Sequence, residues 1–227
     1  MDKETLMLTI AVLGGTGKEG KGLAYRWAKA GYKVLIGSRS SEKAVTTASE
    51  ILEMLDGQGS VVGTSNLEAA TQANIAVLTV PYAAHRDTLE SVKDALGGKL
   101  FIDVTVPLVP PKVSKVQMPP AGSAAQEAKE ILGESVEVVA AFQNVSHEHL
   151  LDDGDVECDV LVTGSSKNAR QEALKLVEAA GLVGWDAGPI ENSVVVEGLT
   201  SVLININKQY GSTHAGIRIT GVNDSKQ

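Results

Sequence analysis

The first residues with recognisable chemistry form a glycine-rich turn, Gly15-Thr16-Gly17-Lys18-Glu19-Gly20, which directly follows the apolar run LTIAVL. In a G-x-G-x-x-G turn between a strand and a helix, the first glycine allows a tight turn and the second lets the backbone approach a pyrophosphate. The third lets the helix pack on the strand. Unpaired N–H groups at the helix start also favour an anion. We therefore expect these six residues to bind a dinucleotide, the alternative being a glycine-rich turn without a ligand.

A second group of polar residues lies in GSRSSEK, at the predicted end of the second strand. Folds that bind NAD usually place a carboxylate here, against the ribose 2′-hydroxyl. This chain instead has Ser38 and Arg39, with Lys43 one turn into the following helix. A hydroxyl, a guanidinium and an ammonium suit a 2′-phosphate, so the segment predicts NADP. In the alternative interpretation, Arg39 and Lys43 are solvated surface charges.

The fourth predicted strand ends in LTVPYAAH. In dinucleotide folds this strand end passes near the nicotinamide, and Thr79, Val80 and Pro81 would give the ring a largely apolar wall. His85 follows one turn into a helix, where a single histidine is more often a surface or capping residue than a catalyst. We therefore assign no catalytic role to His85.

The sequence shows no Ser/His/Asp set, no Lys/Tyr pair at dehydrogenase spacing and no C-x-x-C. A dehydrogenase acting on an alcohol would need such groups, because a proton must move as the hydride leaves. Hydride transfer between two ring cofactors needs only that the rings be held close together in a dry pocket. The sequence therefore favours catalysis by positioning, without a catalytic acid or base.

Two further segments contain residues that can bind metals. His147-Glu148-His149 would place two imidazoles on one face of a strand, but no third ligand is identifiable, so we expect a solvated segment and no metal. Cys158 begins a predicted buried strand and is interpreted as a small core residue.

Strand and helix patterns alternate through most of the chain. Helical patterns such as KGLAYRWAKAG separate short apolar runs, which are LTIAVL, YKVLIGS, SVVGTS, ANIAVLTV, KLFIDVTV, VEVVAAF and CDVLVTG. This alternation predicts an α/β fold, a Rossmann-type doubly wound parallel sheet with a small C-terminal α/β extension. We expect residues 1–150 to form an NADP-binding domain, and residues 151–227 a small domain that contributes to a second cofactor pocket and to dimer contacts.

Two stretches interrupt this alternation. Residues 107–122 contain five of the seven prolines and predict an exposed or active-site loop. The stretch SVVVEGLTSVLININ is apolar on nearly every side, which predicts a helix buried in the core or against another subunit. We expect a homodimer with Ser193–Asn207 near the interface or beneath the second cofactor.

The composition excludes several classes of protein. The chain has 227 residues, of which 43% are hydrophobic and 21% charged, and its net charge is −8 without any Lys/Arg-rich run, so nucleic acid and anionic membranes are not expected as partners. Its single cysteine excludes an internal disulfide, and neither a secretory signal nor an apolar stretch of ~18 residues is present. We therefore expect a cytoplasmic location.

Over nearly its whole length the sequence resembles the family of NADPH-dependent coenzyme F420 reductases, which pass a hydride between NADP and a deazaflavin. The matching segments are IAVLGGTGKEGKGLA, IGSRSSEKA, IAVLTVPY, SAAQE, VVAAFQNV and DAGPIENSVVVEGLTSVLININ. The resemblance implies that NADP and coenzyme F420 both bind. It assigns NADP to Gly15, Thr16, Gly17, Ser38, Arg39 and Lys43, and the nicotinamide to Val80 and Pro81.

The same resemblance assigns the deazaflavin pocket to two segments. These are Phe142, Gln143, Asn144 and Val145, and the turn of Gly188, Pro189 and Ile190. Gln143 and Asn144 would hydrogen-bond a ring edge, and some members of the family carry a histidine where this chain has Gln143.

Two alternative functions are an NADPH-dependent imine or keto-acid reductase and an NADP-binding redox sensor without turnover. The reductases usually add a long helical dimerisation domain, whereas only residues 165–227 follow Gly164 here.

Overall fold

A single eight-stranded sheet runs through the structure, a computed structural model that describes residues 8–151, 154 and 156–222. The strand order is β3-β2-β1-β4-β5-β6-β7-β8. The strands are β1 (Thr9–Leu13), β2 (Lys33–Ser38), β3 (Ser60–Ser65), β4 (Ile75–Leu78), β5 (Leu100–Asp103), β6 (Glu137–Ala140), β7 (Asp159–Gly164) and β8 (Val183–Pro189). This arrangement confirms the predicted α/β class.

Helices follow most of the strands. They are α1 (Lys18–Lys29), α2 (Ser41–Met54), α3 (Asn66–Gln72), α4 (His85–Val92), α5 (Ala124–Leu132), α6 (His147–Leu150), α7 (Lys167–Ala179) and α8 (Ser193–Tyr210). Serine side chains accept a backbone N–H at the start of four of them, and these residues are Ser40, Ser65, Ser123 and Ser166. Such caps stabilise a helix start by about 1 kcal/mol each, which explains why these helices begin where they do.

The first six strands are parallel, whereas β7 pairs with β6 in the antiparallel direction. A parallel pairing needs a connection that returns to the opposite end of the sheet. In the described residues of the connection from β6 to β7, the one-turn helix α6 is the single regular element. The connection stays at the carboxyl end of β6, so β7 enters from that end. The predicted parallel sheet is therefore confirmed except at this one junction.

Two hydrophobic clusters cover the two faces of the sheet. One packs the sheet on α1, α2 and α7 and includes Trp27, which is fully buried and donates its indole N–H to the Leu176 carbonyl at 2.9 Å. The other packs the sheet on α3, α4 and α5 and includes Leu89 and Phe101. Helices on both faces bury the central strands, as a doubly wound sheet requires, whereas the edge strands β3 and β8 stay partly exposed.

The proline-rich stretch 107–122 contains no helix or strand, as predicted. It crosses the C-terminal helix α8, where Val116 and Met118 lie 3.4 Å from the position of a Cβ added at Gly198. This loop therefore covers part of α8.

The expected burial of Ser193–Asn207 on all sides is not found within one chain. Helix α8 buries Val196, Glu197 and Leu203, but Val195 is 68% exposed and Val202 is 45% exposed. The described residues contain no helix that is long and apolar enough to span a membrane.

The C-terminal strands join the same sheet as the first six. Residues beyond α8 continue along β7, where the Asp159 N–H donates to the Ile217 carbonyl at 2.8 Å. The proposed division at residue 150 thus separates segments that share one sheet, and it remains a prediction.

Candidate functional site

The glycine turn between β1 and α1 is closed by backbone hydrogen bonds. The Gly15 N–H donates to the carbonyls of Val12 and Gly37 at 3.1 and 3.0 Å, and the Gly17 N–H donates to the Gly14 carbonyl at 3.1 Å. Gly17 is the N-cap residue of α1, and it provides no side-chain hydrogen bond to the helix start. The first N–H groups of a helix have no intrahelical partner, so this uncapped start can bind an anion.

Close packing explains why glycines occupy this turn. A Cβ added at Gly15 would lie 2.8 Å from the Val12 carbonyl oxygen, and one added at Gly20 would lie 2.5 Å from Thr79 Oγ1. At Gly17 the nearest atom would be 3.6 Å away. The backbone contact at Gly15 agrees with the tight turn predicted for the first glycine. The third glycine allows close packing, as predicted, and its contacts are with Gly15 and the end of β4. Gly17 leaves an open approach to the backbone.

Sequence reasoning missed Asn66. The buried Asn66 accepts the N–H of Gly14, which follows β1, through its Oδ1 at 3.2 Å. The same oxygen would lie 2.8 Å from a Cβ added at Gly37 of β2, so Asn66 contacts the ends of both strands. The capping sequence S-N-L-E marks a helix start at this point in the chain. Nothing in that local signal reveals a contact with a residue 52 positions away.

The structure brings the predicted 2′-phosphate residues to the same cleft as the glycine turn. Ser38 ends β2 and accepts the Ser40 N–H at 3.2 Å, while Arg39 and Lys43 are exposed. Among the described residues, neither cation has a side-chain hydrogen bond or ion-pair partner. Both cations therefore remain available for an anionic ligand.

One cleft of about 290 Å³ connects these groups with the end of β4. Its lining residues are Gly14, Thr16, Gly17, Ser38, Arg39, Ser40, Lys43, Asn66, Thr79, Val80, Pro81, Ala84 and Thr88. Thr79 Oγ1 donates to the Leu13 carbonyl at 3.1 Å, and Thr105 Oγ1 donates to the Val80 carbonyl at 3.4 Å. These bonds hold the predicted nicotinamide wall in place at the end of the cleft.

His85 is fully buried, so its interpretation as a surface or capping residue is wrong. Its Nε2 lies 2.7 Å from Asp103 Oδ2, and its Nδ1 lies 3.2 Å from Glu127 Oε1. Burial alone would lower the pKa of His85, but the two carboxylates outweigh it and raise the pKa above its usual value. The buried ring of His85 therefore connects α4 with β5 and α5.

Asp103 connects this buried network with the predicted deazaflavin segment. Its second carboxylate oxygen accepts the Thr105 N–H at 2.9 Å, and its carbonyl accepts Gln143 Nε2 at 2.8 Å. Glu197 of α8 accepts the N–H groups of Ala124 and Ala125 at 2.7 and 3.0 Å. Burial raises the pKa of Glu197 to about 8, although those two N–H groups lower it.

The predicted deazaflavin segment, Phe142 to Val145, is a buried turn directly after β6. Phe142 has a positive φ of 73° and packs edge-on against Trp27 at 5.8 Å between ring centroids. Asn144 Nδ2 donates to the Val196 carbonyl at 3.0 Å and to Thr200 Oγ1 at 3.1 Å. A strained backbone held by such contacts is typical of functional turns.

Three buried side-chain oxygens have no hydrogen-bond partner among the described residues: Glu19 Oε1, Gln143 Oε1 and Asn144 Oδ1. Two of them belong to the predicted deazaflavin segment, and Glu19 lies in the glycine turn. Burial raises the pKa of Glu19 to about 8. Buried polar atoms are nearly always paired, so these three require an explanation.

The predicted second part of the deazaflavin pocket lies further along the sheet. Gly188 ends β8 with a φ of 90°, and Pro189 pairs with Gly164, which pairs with Val139 of β6. Residues 188–190 do not line the cleft described above. Their assignment to the deazaflavin remains a prediction, and Gly188 cannot be tested by substitution because any side chain is strained at that φ.

The histidine segment has a different secondary structure from the one predicted. His147 and His149 lie on the one-turn helix α6 and not on a strand as we expected. No cluster of three or more metal-binding side chains occurs among the described residues. Cys158 is buried, as predicted.

Comparison with known proteins gives matches over nearly the whole chain. A family model described as NADP oxidoreductase, coenzyme F420-dependent, matches residues 9–107. The F420-dependent NADP reductase of Methanothermobacter marburgensis is 42% identical over 222 residues, which are 95% of this chain and 99% of that protein. The F420-dependent NADP reductase of Methanocaldococcus jannaschii is 39% identical over 223 residues, with the same coverage of 95% and 99%.

A solved structure shows the same fold. A crystal structure from Arthrobacter sp. FB24, described as a candidate F420-dependent NADP reductase, superimposes with a TM-score of 0.80. The match covers 94% of this chain and 100% of that one at 24% identity. At this identity the likeness supports the Rossmann-type fold alone.

The buried His85 network predicts a pH-dependent contribution to stability. Because the pKa of His85 is raised in the folded chain, its contribution is complete below about pH 6.5 and is lost as the pH rises through the raised value. His85→Gln leaves Asp103 and Glu127 without their cation, which costs about 3 kcal/mol at pH 6, or about 6–12 °C in Tm. We expect this difference in Tm to narrow steadily up to pH 9 in calorimetry.

The informative quantity is the difference in Tm between His85→Gln and the unmodified protein. The raised pKa values of Glu19 and Glu197 make the Tm of both proteins depend on pH in the same direction, so this dependence cancels in the difference. His214→Gln, at an exposed ring, serves as the control. A difference in Tm between His85→Gln and the unmodified protein that stays constant from pH 6 to 9 would contradict a cationic His85.

Proposed function

Because this chain belongs to the family of F420-dependent NADP reductases, we propose how its own residues hold the two substrates between which it transfers a hydride, NADP(H) and coenzyme F420. One observation carries the assignment of residues. One cleft of about 290 Å³ is lined by the uncapped start of α1, by the cations Arg39 and Lys43, and by the apolar wall at the end of β4. From the end of β2 through the glycine turn after β1 to the end of β4, these groups follow the order of the 2′-phosphate, the pyrophosphate and the nicotinamide in NADP.

The glycine turn is the proposed pyrophosphate site. The open backbone at Gly17 and the N–H groups of Lys18, Glu19 and Gly20 support this assignment, because an uncapped helix start attracts an anion. Thr16 lies on the open side of the same turn.

Ser38, Arg39 and Lys43 are the proposed 2′-phosphate site. The two cations are exposed beside the cleft and have no partner among the described residues, so binding a phosphate breaks no existing ion pair. A planar guanidinium can give a phosphate two parallel hydrogen bonds, whereas a lysine acts as a point charge. Arg39 is therefore the main proposed determinant of specificity for NADP over NAD.

The reaction needs a nicotinamide held against Val80 and Pro81 and a deazaflavin held by the segment Phe142 to Val145. Hydrogen bonds at the end of β5 support this pairing. Gln143 donates to the Asp103 carbonyl, while Thr105 donates its N–H to the Asp103 carboxylate and its hydroxyl to the Val80 carbonyl. Both walls are therefore tied to the end of β5. The two rings then approach in a fixed orientation, and positioning supplies most of the catalysis.

A direct assay tests the function. We expect NADPH absorbance to fall when F420 is added to the purified protein, and to stay constant with an imine, with a keto acid, or with no acceptor. Turnover with an imine or a keto acid but not with F420 would replace the proposed function by the corresponding reductase. NADPH binding without turnover of any acceptor would instead indicate a redox sensor.

Removing Arg39 should separate the two nicotinamide cofactors. A hydrogen bond to a charged group contributes about 1.5–3 kcal/mol. Arg39→Ala should therefore weaken NADP binding about 10–150-fold and leave NAD binding nearly unchanged. Dissociation constants for both cofactors, measured by calorimetry at one ionic strength, check this expectation.

Arg218→Ala is the matched control, since Arg218 is exposed and lies outside the cleft. An equal loss for NADP and NAD in Arg39→Ala would show that Arg39 supports the fold or contacts the adenine. No loss for either cofactor would remove it from the site.

A homodimer is the proposed state of assembly. The outer face of α8 exposes Val195, Val202, Ile206 and Tyr210, which lie on one stripe because they are spaced by seven, four and four residues. A stripe of this kind on a long helix matches the same stripe of a second copy related by a two-fold axis. The cytoplasmic location and the absence of a nucleic-acid partner also remain predictions.

The dimer is tested by sedimentation velocity at micromolar concentration. We expect a dimer for the unmodified protein and a monomer for Val202→Glu, because a carboxylate in the middle of the stripe would be buried without a partner. Val62→Glu is the matched control, since Val62 is 49% exposed against 45% for Val202 but lies on β3. Dissociation by the Val62 substitution alone would place the interface elsewhere.

A further inference from the structure

Glu19 lies in the glycine turn, but the binding of a pyrophosphate by that turn uses backbone N–H groups and not this side chain. The side-chain atom Oε1 is enclosed and has no hydrogen-bond partner among the described residues. An enclosed, unpaired carboxyl oxygen destabilises the folded chain, so an isolated structural role does not explain it.

Helix geometry shows where Glu19 is directed. Successive residues of an α-helix are rotated by about 100° around its axis. Viewed down α1, the Glu19 side chain therefore leaves the helix between the directions of Gly20 and Gly22. A Cβ at Gly20 would contact Thr79 Oγ1 at the end of β4, and one at Gly22 would contact Leu150 of α6, each at 2.5 Å. Glu19 therefore faces the gap between the nicotinamide wall and the segment that leads from β6 into α6.

The unpaired Oε1 of Gln143 and Oδ1 of Asn144 belong to that segment. Both amide N–H₂ groups are already used within the protein, Gln143 on the Asp103 carbonyl and Asn144 on Val196 and Thr200. Asn144 therefore keeps only the acceptor Oδ1, whereas Gln143 keeps the acceptor Oε1 and one of its two amide N–H donors. A ligand edge with an N–H group between two carbonyls would pair with an amide oxygen, and a neutral carboxylic acid would supply the donor that such an edge also needs.

The charged groups near Glu19 can be named element by element. On α1 itself, Lys21 is paired with Glu50 of α2, and Arg26 donates to carbonyls of α6 at the far end of this face. Lys18 precedes Glu19, and α6 carries His147, Glu148 and His149. Residues 79–81 and 141–146 contain no ionisable side chain, and Asp103 beyond them is paired with His85. Burial is the cause of the raised pKa of Glu19, which is about 8, so its carboxyl group is mainly neutral at pH 7.

We propose that Glu19 is a catalytic residue of the hydride transfer, the acid that exchanges a proton with the pyrimidine ring of the deazaflavin. This inference rests on the proposed function and deepens it. It departs from our expectation from the sequence that positioning alone, without a catalytic acid or base, supplies the catalysis.

The proton balance of the reaction then closes within the site. A hydride leaves C4 of NADPH with its electron pair and forms the new C–H bond at C5 of the deazaflavin, which gives NADP⁺. N1 of the reduced ring takes the proton of the Glu19 carboxyl group, and the resulting carboxylate regains a proton from solvent. In the opposite direction the carboxylate accepts the N1 proton.

Glu19→Gln tests this role, because the amide keeps the size and a hydrogen-bond donor but cannot exchange a proton. We expect about 100-fold slower hydride transfer in single-turnover absorbance measurements, with NADP binding unchanged. Glu19→Asp, which keeps an exchangeable proton on a shorter side chain, should recover part of the lost rate. A rate for Glu19→Gln within threefold of the unmodified protein would overturn the proposal.

A binding measurement provides a second readout that does not depend on turnover. In fluorescence titrations with F420, the dissociation constant of the unmodified protein should rise up to tenfold per pH unit above pH 8, as Glu19 ionises. That of Glu19→Gln should lack this rise. The ionisation of the ligand is common to both proteins, so the ratio of the two constants isolates Glu19, and a ratio independent of pH would also overturn the proposal.

Glu68→Gln is the matched control, since Glu68 occupies the first turn of α3 but is exposed. It should behave like the unmodified protein in both measurements. If the proposed function itself were wrong, the unmodified protein would bind NADP but would neither bind nor reduce F420. That outcome differs from those that would overturn only the role of Glu19.

Discussion

The close contact between the start of α1 and the ends of β1 and β4 is the constraint on which the site depends. Gly15 and Gly20 allow backbone and side-chain atoms to approach to distances that no Cβ would permit. This contact fixes the direction of the helix and aims its unpaired N–H groups at the cleft. It also decides which residues of α1 face β4 and which face α6, and so sets the position of Glu19.

The end of β5 has a comparable role on the other side of the cleft. Asp103 is fully buried and pairs with His85, while its second oxygen and its carbonyl hold Thr105 and Gln143. Because one residue binds both walls, a displacement of either wall disturbs the other. Buried networks of this kind are costly to form but hold reacting groups in one geometry when all members are paired.

Local sequence patterns were sufficient to predict the glycine turn and most of the sheet, and they singled out Ser38, Arg39 and Lys43, which line the same cleft. Each of these depends on residues close together in the chain. The burial of His85 was missed because its partners lie 18 and 42 positions away. The direction of β7 depends on the path of a connection, and the enclosure of Glu19 Oε1 depends on tertiary packing around the start of α1. A local periodicity reveals neither.

The reversed strand β7 also affects how the fold opens. Arg26 of α1 donates to the carbonyls of His149 and Leu150 ahead of β7 and to that of Ala180 ahead of β8. One side chain thus clamps both C-terminal strands to the helix that starts at the glycine turn. Amide hydrogens in β7 and β8 should therefore exchange with solvent only when α1 also loosens, which makes the two halves of the chain a single cooperative unfolding unit.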